Sequence, residues 1–240
     1  FLKKQKKNKT VILLPKNKYT SLIENKLKDL QFKDYTIFKY SPDPEILTGE
    51  IETLTNYSQR KKNLELRKKI FEDKDDEQSQ KELNRLEQKY TLGNVNFDSV
   101  IIIDFGNSLK SVLTSFAFTD VSEDKVLFTT LNQWFDESIF YENTIRSLYY
   151  PSIDYKEFNK FKNNYYKTFN IYPTEISILA YDAIGLIYYL WKKNGKIKSV
   201  NDFSFKGKIK GKIGTFSFDK MKISQDLNIY KVKGNSFTKF

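Results

Sequence analysis

The sequence contains no histidine and no cysteine. It therefore cannot form a Ser-His-Asp or Cys-His catalytic arrangement, because each of these needs one of the two missing residues. The common ligands of zinc, haem and iron–sulfur sites are missing as well. There is no Walker motif, Gly-x-Gly-x-x-Gly loop or EF-hand loop. A catalyst in this sequence would have to use only Asp, Glu, Lys, Tyr, Ser or Thr, and we expect the protein to hold no cofactor or metal.

Arginine is scarce: 4 of the 41 basic residues are Arg, and with 30 acidic residues the net charge is +11. Base reading and phosphate binding favour the guanidinium fork of Arg. The lysines are spread along the whole chain, so we do not expect nucleic-acid binding. Two interpretations of the charge stay open, a compositional bias of the source genome and a basic surface for an anionic polymer or a membrane.

No apolar run reaches 18 residues, so the sequence predicts no transmembrane helix. No signal peptide is visible either. The chain starts at Phe1 rather than at Met, and residues 1–9 form a basic lead-in. We therefore expect the sequence to be a piece of a longer protein.

Three apolar runs alternate with helical patterns and predict the core. The runs are Val11–Leu14, Val100–Ile103 and Val126–Phe128, and their continuous apolar character is typical of buried parallel strands. Helical patterns cover residues 19–30 and 107–118. This alternation predicts an α/β fold with a parallel sheet and flanking helices.

Residues 45–91 form a long charged stretch with a thin apolar stripe. Lys74, Asp75 and Asp76 interrupt it, which predicts a turn between two antiparallel helices. We interpret the stretch as a solvated helical hairpin inserted into the α/β fold.

The last third of the sequence changes character. Residues 155–169 predict an amphipathic helix, and residues 174–194 predict a much more apolar helix that needs burial on more than one side. Asp182 lies within this apolar helix and is expected to bond to a neighbouring loop. The glycine-punctuated stretch from Gly207 to Asp219 and the run 227–232 predict a β-hairpin-like ending.

Several segments together resemble a known family. Phe97-Asp98-Ser99-Val100-Ile101, Leu179-Ala180-Tyr181-Asp182-Ala183 and the Gly211–Phe218 segment occur in the order and spacing of the leucine-binding-protein-like type I periplasmic binding proteins. The resemblance covers roughly residues 10–235. Thr91-Leu92-Gly93, at the end of the charged insert, is most similar to family members called penicillin-binding protein activators.

The resemblance implies a type I periplasmic-binding fold, in which two α/β lobes enclose a ligand cleft. Residues 10–150, with the insert at 45–91, and residues 211–235 would form the second lobe. Residues 152–205 would be helices of the first lobe, whose leading strands lie outside this sequence. We therefore expect the apolar side of helix 174–194 to be incompletely covered.

The resemblance implies a non-enzymatic periplasmic protein of the cell envelope. One form is a penicillin-binding protein activator, a regulator of peptidoglycan synthesis whose partner is a peptidoglycan synthase. The alternative is the substrate-binding component of an ABC transporter, which delivers amino acids or another small solute to a permease. Membrane contact would come from an upstream lipoprotein anchor.

A small ligand of this family would bind where strand ends meet helix starts. The candidate residues of this sequence are Tyr19, Gly106, Asn107, Asn132, Gln133 and Trp134. Leucine-type binders hold the ligand ammonium with a carboxylate near the position of Asn132 and Gln133. A neutral amide is a poor substitute for a charge-assisted bond, which favours a protein partner over a free amino acid.

Overall fold

The computed structural model describes residues 1–29, 34–133, 147–203, 207–212, 214–219, 222–234 and 236–240. The described chain forms two compact units. The first contains most of residues 1–131 together with 147–150 and 231–238. The second contains residues 132–133, most of 151–230, and 239–240.

A seven-stranded sheet forms the core of the first unit. Its strands are β1 (Thr10–Pro15), β2 (Tyr35–Tyr40), β3 (Ser99–Ile102), β4 (Leu127–Thr130), β5 (Leu148–Ser152), β9 (Asn228–Lys233) and β10 (Ser236–Lys239). The spatial order is β10-β9-β5-β4-β3-β1-β2, and the pairs from β2 to β5 are parallel. The chain passes between the units within β5 and again within β9.

The three apolar runs are strands, which confirms the predicted α/β fold. β1 lies between β2 and β3, and all six of its residues are buried. β3 ends at Ile102 and β4 begins at Leu127, each one residue away from the predicted bound. Burial on both faces explains why these strands are apolar throughout instead of alternating.

The helices of the first unit are α1 (Thr20–Lys28), α2 (Pro44–Leu54), α3 (Tyr57–Glu72), α4 (Glu77–Glu87) and α5 (Gly106–Phe118). The expected two-helix stretch of residues 45–91 is thus divided into three helices. α2 is a crossover helix of the sheet: Asp43 caps it, Pro44 occupies its first turn, and Leu47 and Ile51 are buried. Asn56, in the left-handed conformation at φ 50°, separates α2 from α3.

The inserted hairpin therefore consists of α3 and α4 alone. The turn between them falls at the predicted position, and the Asp76 carboxylate caps α4 by accepting a hydrogen bond from the Ser79 N–H group. Most residues of the hairpin are exposed, as its charged composition predicts, whereas Leu64 and Leu86 are buried.

A buried arginine attaches this hairpin to the rest of the first unit. The Arg60 side chain is 3% exposed, and its guanidinium donates hydrogen bonds to the carbonyl oxygens of Thr119 and Asp120, at 3.0 and 2.9 Å. It also donates to the Thr91 hydroxyl at 2.6 Å, and that hydroxyl donates to the Asp120 carboxylate at 2.6 Å. One side chain thus joins α3 to the chain after α4 and to the end of α5.

The second unit contains two long helices and a small sheet. The helices are α6 (Tyr155–Phe169) and α7 (Glu175–Asn194), and the antiparallel strands are β6 (Lys208–Lys210), β7 (Thr215–Asp219) and β8 (Lys222–Asp226). Asp154 caps α6 and Thr174 caps α7. Both predicted helices are confirmed. The predicted pairing of the 207–219 stretch with the run 227–232 is wrong: β7 pairs with β8, which was not predicted, and most of the run 227–232 lies in β9 of the seven-stranded sheet.

The apolar side of α7 is incompletely covered within the described chain, as expected. Ile184 is 67% exposed, Tyr188 is 56% exposed and Ile187 is 46% exposed. Of the helices described, none combines the length and the apolar character that a membrane crossing requires.

The division into units differs from the expected lobe boundaries at two places. Residues 132–133 group with the second unit, although they belong to the expected 10–150 lobe. Residues 211–230 group with the 151–210 region, and only residues 231–238 of the chain end group with the first unit. The assignment of 10–150 with 211–235 to one lobe, and of 152–205 to another, stays a prediction.

We expect Arg60→Met to lower the free energy of unfolding by about 3 kcal/mol, because it leaves buried carbonyl groups and the Thr91 hydroxyl without their donor. Urea denaturation followed by circular dichroism measures the change. The control is Arg85→Met on α4, which removes an exposed ion pair with Glu82 and should cost less than about 0.5 kcal/mol. Equal effects of both substitutions would contradict a structural role of the buried network.

Candidate functional site

The carboxyl edge of the parallel sheet in the first unit is the candidate site. β1, β2 and β3 end at this edge, and α1, α2 and α5 begin there. Parallel strands bring the residues that follow them together, and ligands of open α/β sheets bind in this position.

Asp104 is the central acidic group of the edge. It lies two residues after β3, and its carboxylate accepts hydrogen bonds from the Tyr40 hydroxyl, from the Ser108 hydroxyl at 2.5 Å and from the Phe105 N–H group at 2.8 Å. Tyr40 is fully buried at the end of β2. Burial, with the hydrogen bond to Asp104 and its negative charge, raises the pKa of Tyr40 far above its ordinary value. Tyr40 therefore keeps its proton and remains a donor to Asp104.

Glu50, on α2, is a second acidic group at this edge. Its carboxylate accepts hydrogen bonds from the Lys16 ammonium at 2.5 Å and from the Ser41 N–H group at 2.5 Å. Burial opposes ionisation of Glu50, but these two donors outweigh it and lower its pKa. Because Lys16 follows β1 and Ser41 follows β2, the carboxylate ties α2 to two strand ends.

The structure brings three of the predicted site residues to the same sheet edge. Tyr19 immediately precedes α1 and is 54% exposed, and its N–H group donates to the Asn17 side chain at 2.8 Å. Gly106 begins α5 at φ 53°, a left-handed conformation that glycine adopts without strain. Asn107 is exposed in the first turn of α5. A ligand-binding role for these three stays a prediction.

The other three predicted residues follow β4. Asn132 and Gln133 belong to the second unit; the Asn132 side-chain oxygen accepts a hydrogen bond from the Ser152 hydroxyl at 2.9 Å, and Gln133 is buried. Trp134 lies outside the described residues. Asp104, Glu50 and Tyr40 were not predicted, although Asp104 directly follows an apolar strand, which is the signal that would have identified it.

A second concave region lies within the second unit, between α7 and the small sheet. The Asp182 carboxylate accepts a hydrogen bond from the Lys212 N–H group at 2.7 Å, which confirms the expected bond between Asp182 and a neighbouring loop. Gly211 has no space for a side chain, because a Cβ atom there would lie 2.6 Å from Asp182 Oδ2.

The polar groups of both regions are held in hydrogen bonds within the chain. Within the described ranges no group of three or more acidic residues could hold a metal ion. The acidic groups of the sheet edge are hydrogen bonded to the chain itself, and exposed amide and aromatic side chains surround them. These groups can form hydrogen bonds and apolar contacts with a ligand or a partner.

We expect the stability of the protein to fall with acidification partly through Glu50. Because its pKa is lower in the folded chain than in the unfolded chain, its contribution is present above the unfolded pKa and is lost as the pH falls through the folded one. Urea midpoints should show Glu50→Gln less stable than the parent by about 1 kcal/mol at pH 7, with the difference shrinking towards pH 3. Glu52→Gln, on the same helix, is the control; a pH-independent difference for Glu50→Gln would refute this role.

No protein-family model and no curated protein matches the sequence. Solved structures do match it. A branched-chain amino acid ABC transporter protein from Rhodospirillum rubrum is 8% identical with a TM-score of 0.65, and the match covers 100% of this chain and 62% of that one. The LpoA C-domain from Haemophilus influenzae, a regulator of PBP1A, is 11% identical with a TM-score of 0.59, covering 100% and 63%.

A leucine-binding protein from Thermotoga maritima is 10% identical with a TM-score of 0.52, and the match covers 100% of this chain and 61% of that one. This chain therefore spans about three fifths of the length of each of these structures. At sequence identities this low, the structural likeness establishes the fold alone. The chain has the fold of the leucine-binding-type periplasmic binding proteins, as the resemblance in sequence predicted.

Proposed function

We propose that this chain is part of a non-enzymatic periplasmic protein that acts as a penicillin-binding protein activator, regulating peptidoglycan synthesis through contact with a synthase. Solved structures of the same fold include both ABC transporter binding proteins and a regulator of PBP1A. The observation that favours the regulator is that the acidic groups at the sheet edge already accept hydrogen bonds from the chain.

A free amino acid brings an ammonium group that must be paired when it is bound out of water. The carboxylates of Asp43, Glu50 and Asp104 at this edge all accept hydrogen bonds from the chain itself. The donors already bound to these carboxylates offset part of their negative charge and weaken their attraction for a ligand ammonium. Asn132 and Gln133, the residues at the position of the ammonium-binding carboxylate in leucine-type binders, are neutral. The edge is therefore poorly suited to a zwitterion.

Exposed aromatic residues make the same edge suitable for a protein partner. Tyr19 and Phe105 are each 54% exposed, and they flank the ends of β1 and β3. Aromatic residues are enriched in the cores of protein interfaces and often dominate their binding energy. We propose that these two side chains are anchors of the contact with the synthase.

The periplasmic location and an upstream lipid anchor belong to the same proposal. So does the arrangement of lobes, with the helices of residues 152–205 belonging to a first lobe. The alternative function is an ABC transporter component that delivers an amino acid or another small solute to a permease. It requires a small ligand, for which the candidate residues are Tyr19, Gly106, Asn107, Asn132, Gln133 and Trp134.

Two binding measurements separate these functions. We expect titration calorimetry with leucine, isoleucine and valine to show no binding, because the acidic groups described at the sheet edge already accept hydrogen bonds from the chain. We expect a purified peptidoglycan synthase of the source organism to be captured by the protein. Tyr19→Ser and Phe105→Ser should each weaken capture about tenfold, as expected for an interface anchor.

Tyr90→Ser is the matched control, because Tyr90 is an exposed aromatic residue that follows the α3–α4 hairpin, away from the sheet edge in the sequence. Its capture should equal that of the parent. Micromolar binding of a branched-chain amino acid, weakened by Gln133→Ala, would overturn the regulator and support the transport component.

A further inference from the structure

Two adjoining pockets lie within the second unit. The larger, of about 690 Å³, is mainly apolar and is lined by side chains of α7 and the small sheet, among them Leu179, Ala183, Leu186, Ile209 and Phe216. The smaller, of about 410 Å³, is mainly polar. Glu157 and the Lys210–Lys212 segment line both pockets, so the two spaces meet at this segment.

The polar pocket is rich in lysine. Four lysines line it: Lys156, Lys210, Lys212 and Lys239. None of the four forms an ion pair within the described part of the chain, whereas Lys208 is paired with Asp226 at 2.5 Å. Asp154, another lining residue, accepts hydrogen bonds from the first N–H groups of α6. Glu157 and Asp226 line the pocket as well, so four lysines face three carboxylates, and Lys208 already neutralises one of the three. The pocket therefore carries a modest excess of positive charge next to an apolar space.

We propose that the second unit binds an anionic single-chain amphiphile of the fatty-acid class. The apolar tail lies against α7 and the small sheet, and the carboxylate lies among the lysines around Lys210 and Lys212. The volume of the apolar pocket is within the range of about 300–1,000 Å³ that is usual for small-molecule sites. Leu179, Tyr189 and Ile223 line this pocket and are exposed, so a bound tail would remove their apolar surface from water.

The site is independent of the sheet edge in the first unit. It requires neither a synthase nor an amino acid, so failure of this proposal leaves the proposed function standing, and the reverse also holds.

Titration calorimetry of the full chain with dodecanoate, kept below its micelle concentration, tests the proposal. We expect saturable binding of one molecule per chain. Each methylene group contributes about a fourfold change in affinity when fully buried. Decanoate is two methylene groups shorter, so we expect it to bind about sixteenfold more weakly. Dodecyltrimethylammonium, which has the same tail and a cationic head, should bind at least about tenfold more weakly than dodecanoate. Added salt should weaken the binding of dodecanoate, because it screens the attraction between the carboxylate and the lysines.

Gly185→Leu is the variant that fills the apolar pocket. Gly185 lines it, and a Cβ atom added there meets no other atom within 4 Å, so the substitution has space without disturbing the helix. We expect dodecanoate binding to be lost. Gly49→Leu is the matched control: Gly49 is a helical glycine with equally open surroundings, on α2 of the first unit. It should bind like the parent.

The lysines are tested with the double variant Lys210→Gln/Lys212→Gln, which should bind dodecanoate about tenfold more weakly. Lys192→Gln/Lys193→Gln, at the end of α7 and outside both pockets, removes the same charge and should leave binding unchanged. Absence of saturable binding, equal binding of the cationic amphiphile, or full binding by Gly185→Leu would each overturn the proposal.

Discussion

The buried guanidinium of Arg60 attaches the charged hairpin to the rest of the first unit. An arginine suits this position because its planar fork donates in several fixed directions at once, whereas a lysine presents one compact charge. The four acceptors around it come from three separate parts of the chain: the end of α2, the segment after α4 and the end of α5. The Asp120 carboxylate, 3.8 Å from the guanidinium, offsets a charge that burial would otherwise make costly.

The core of the fold was predictable because its signals are local. β1, β3 and β4 are apolar runs between helical patterns. α6 is amphipathic, α7 is a long apolar run, and Asp154 and Thr174 cap the two helices. The boundary between α2 and α3 was not predictable, because it depends on the left-handed conformation of Asn56. The burial of Arg60 was equally hidden, since a charged residue on a charged helix looks like part of a solvated face.

The candidate sites were predictable in position and only partly in composition. Strand ends identified Tyr19, Gly106 and Asn107, which the structure brings to one sheet edge. Asp104 escaped prediction because an aspartate after a strand is also an ordinary turn residue, and its partner Tyr40 is 64 residues away in the sequence. The lysine-lined pocket depends on how the start of α6, the Lys210–Lys212 segment and the chain end come together, and no local sequence pattern reveals this.

The attachment of the hairpin has a consequence for how related chains can vary. The Leu92 N–H group donates to the Arg60 carbonyl oxygen at 3.0 Å, so the stem of the hairpin is closed next to the sheet. A segment beyond a closed stem can lengthen or shorten at little energetic cost, because the entropic cost of closing a loop grows slowly with its length. The tip around Lys74–Asp76 is therefore where insertions, deletions or a fused domain can accumulate while the sheet keeps its register.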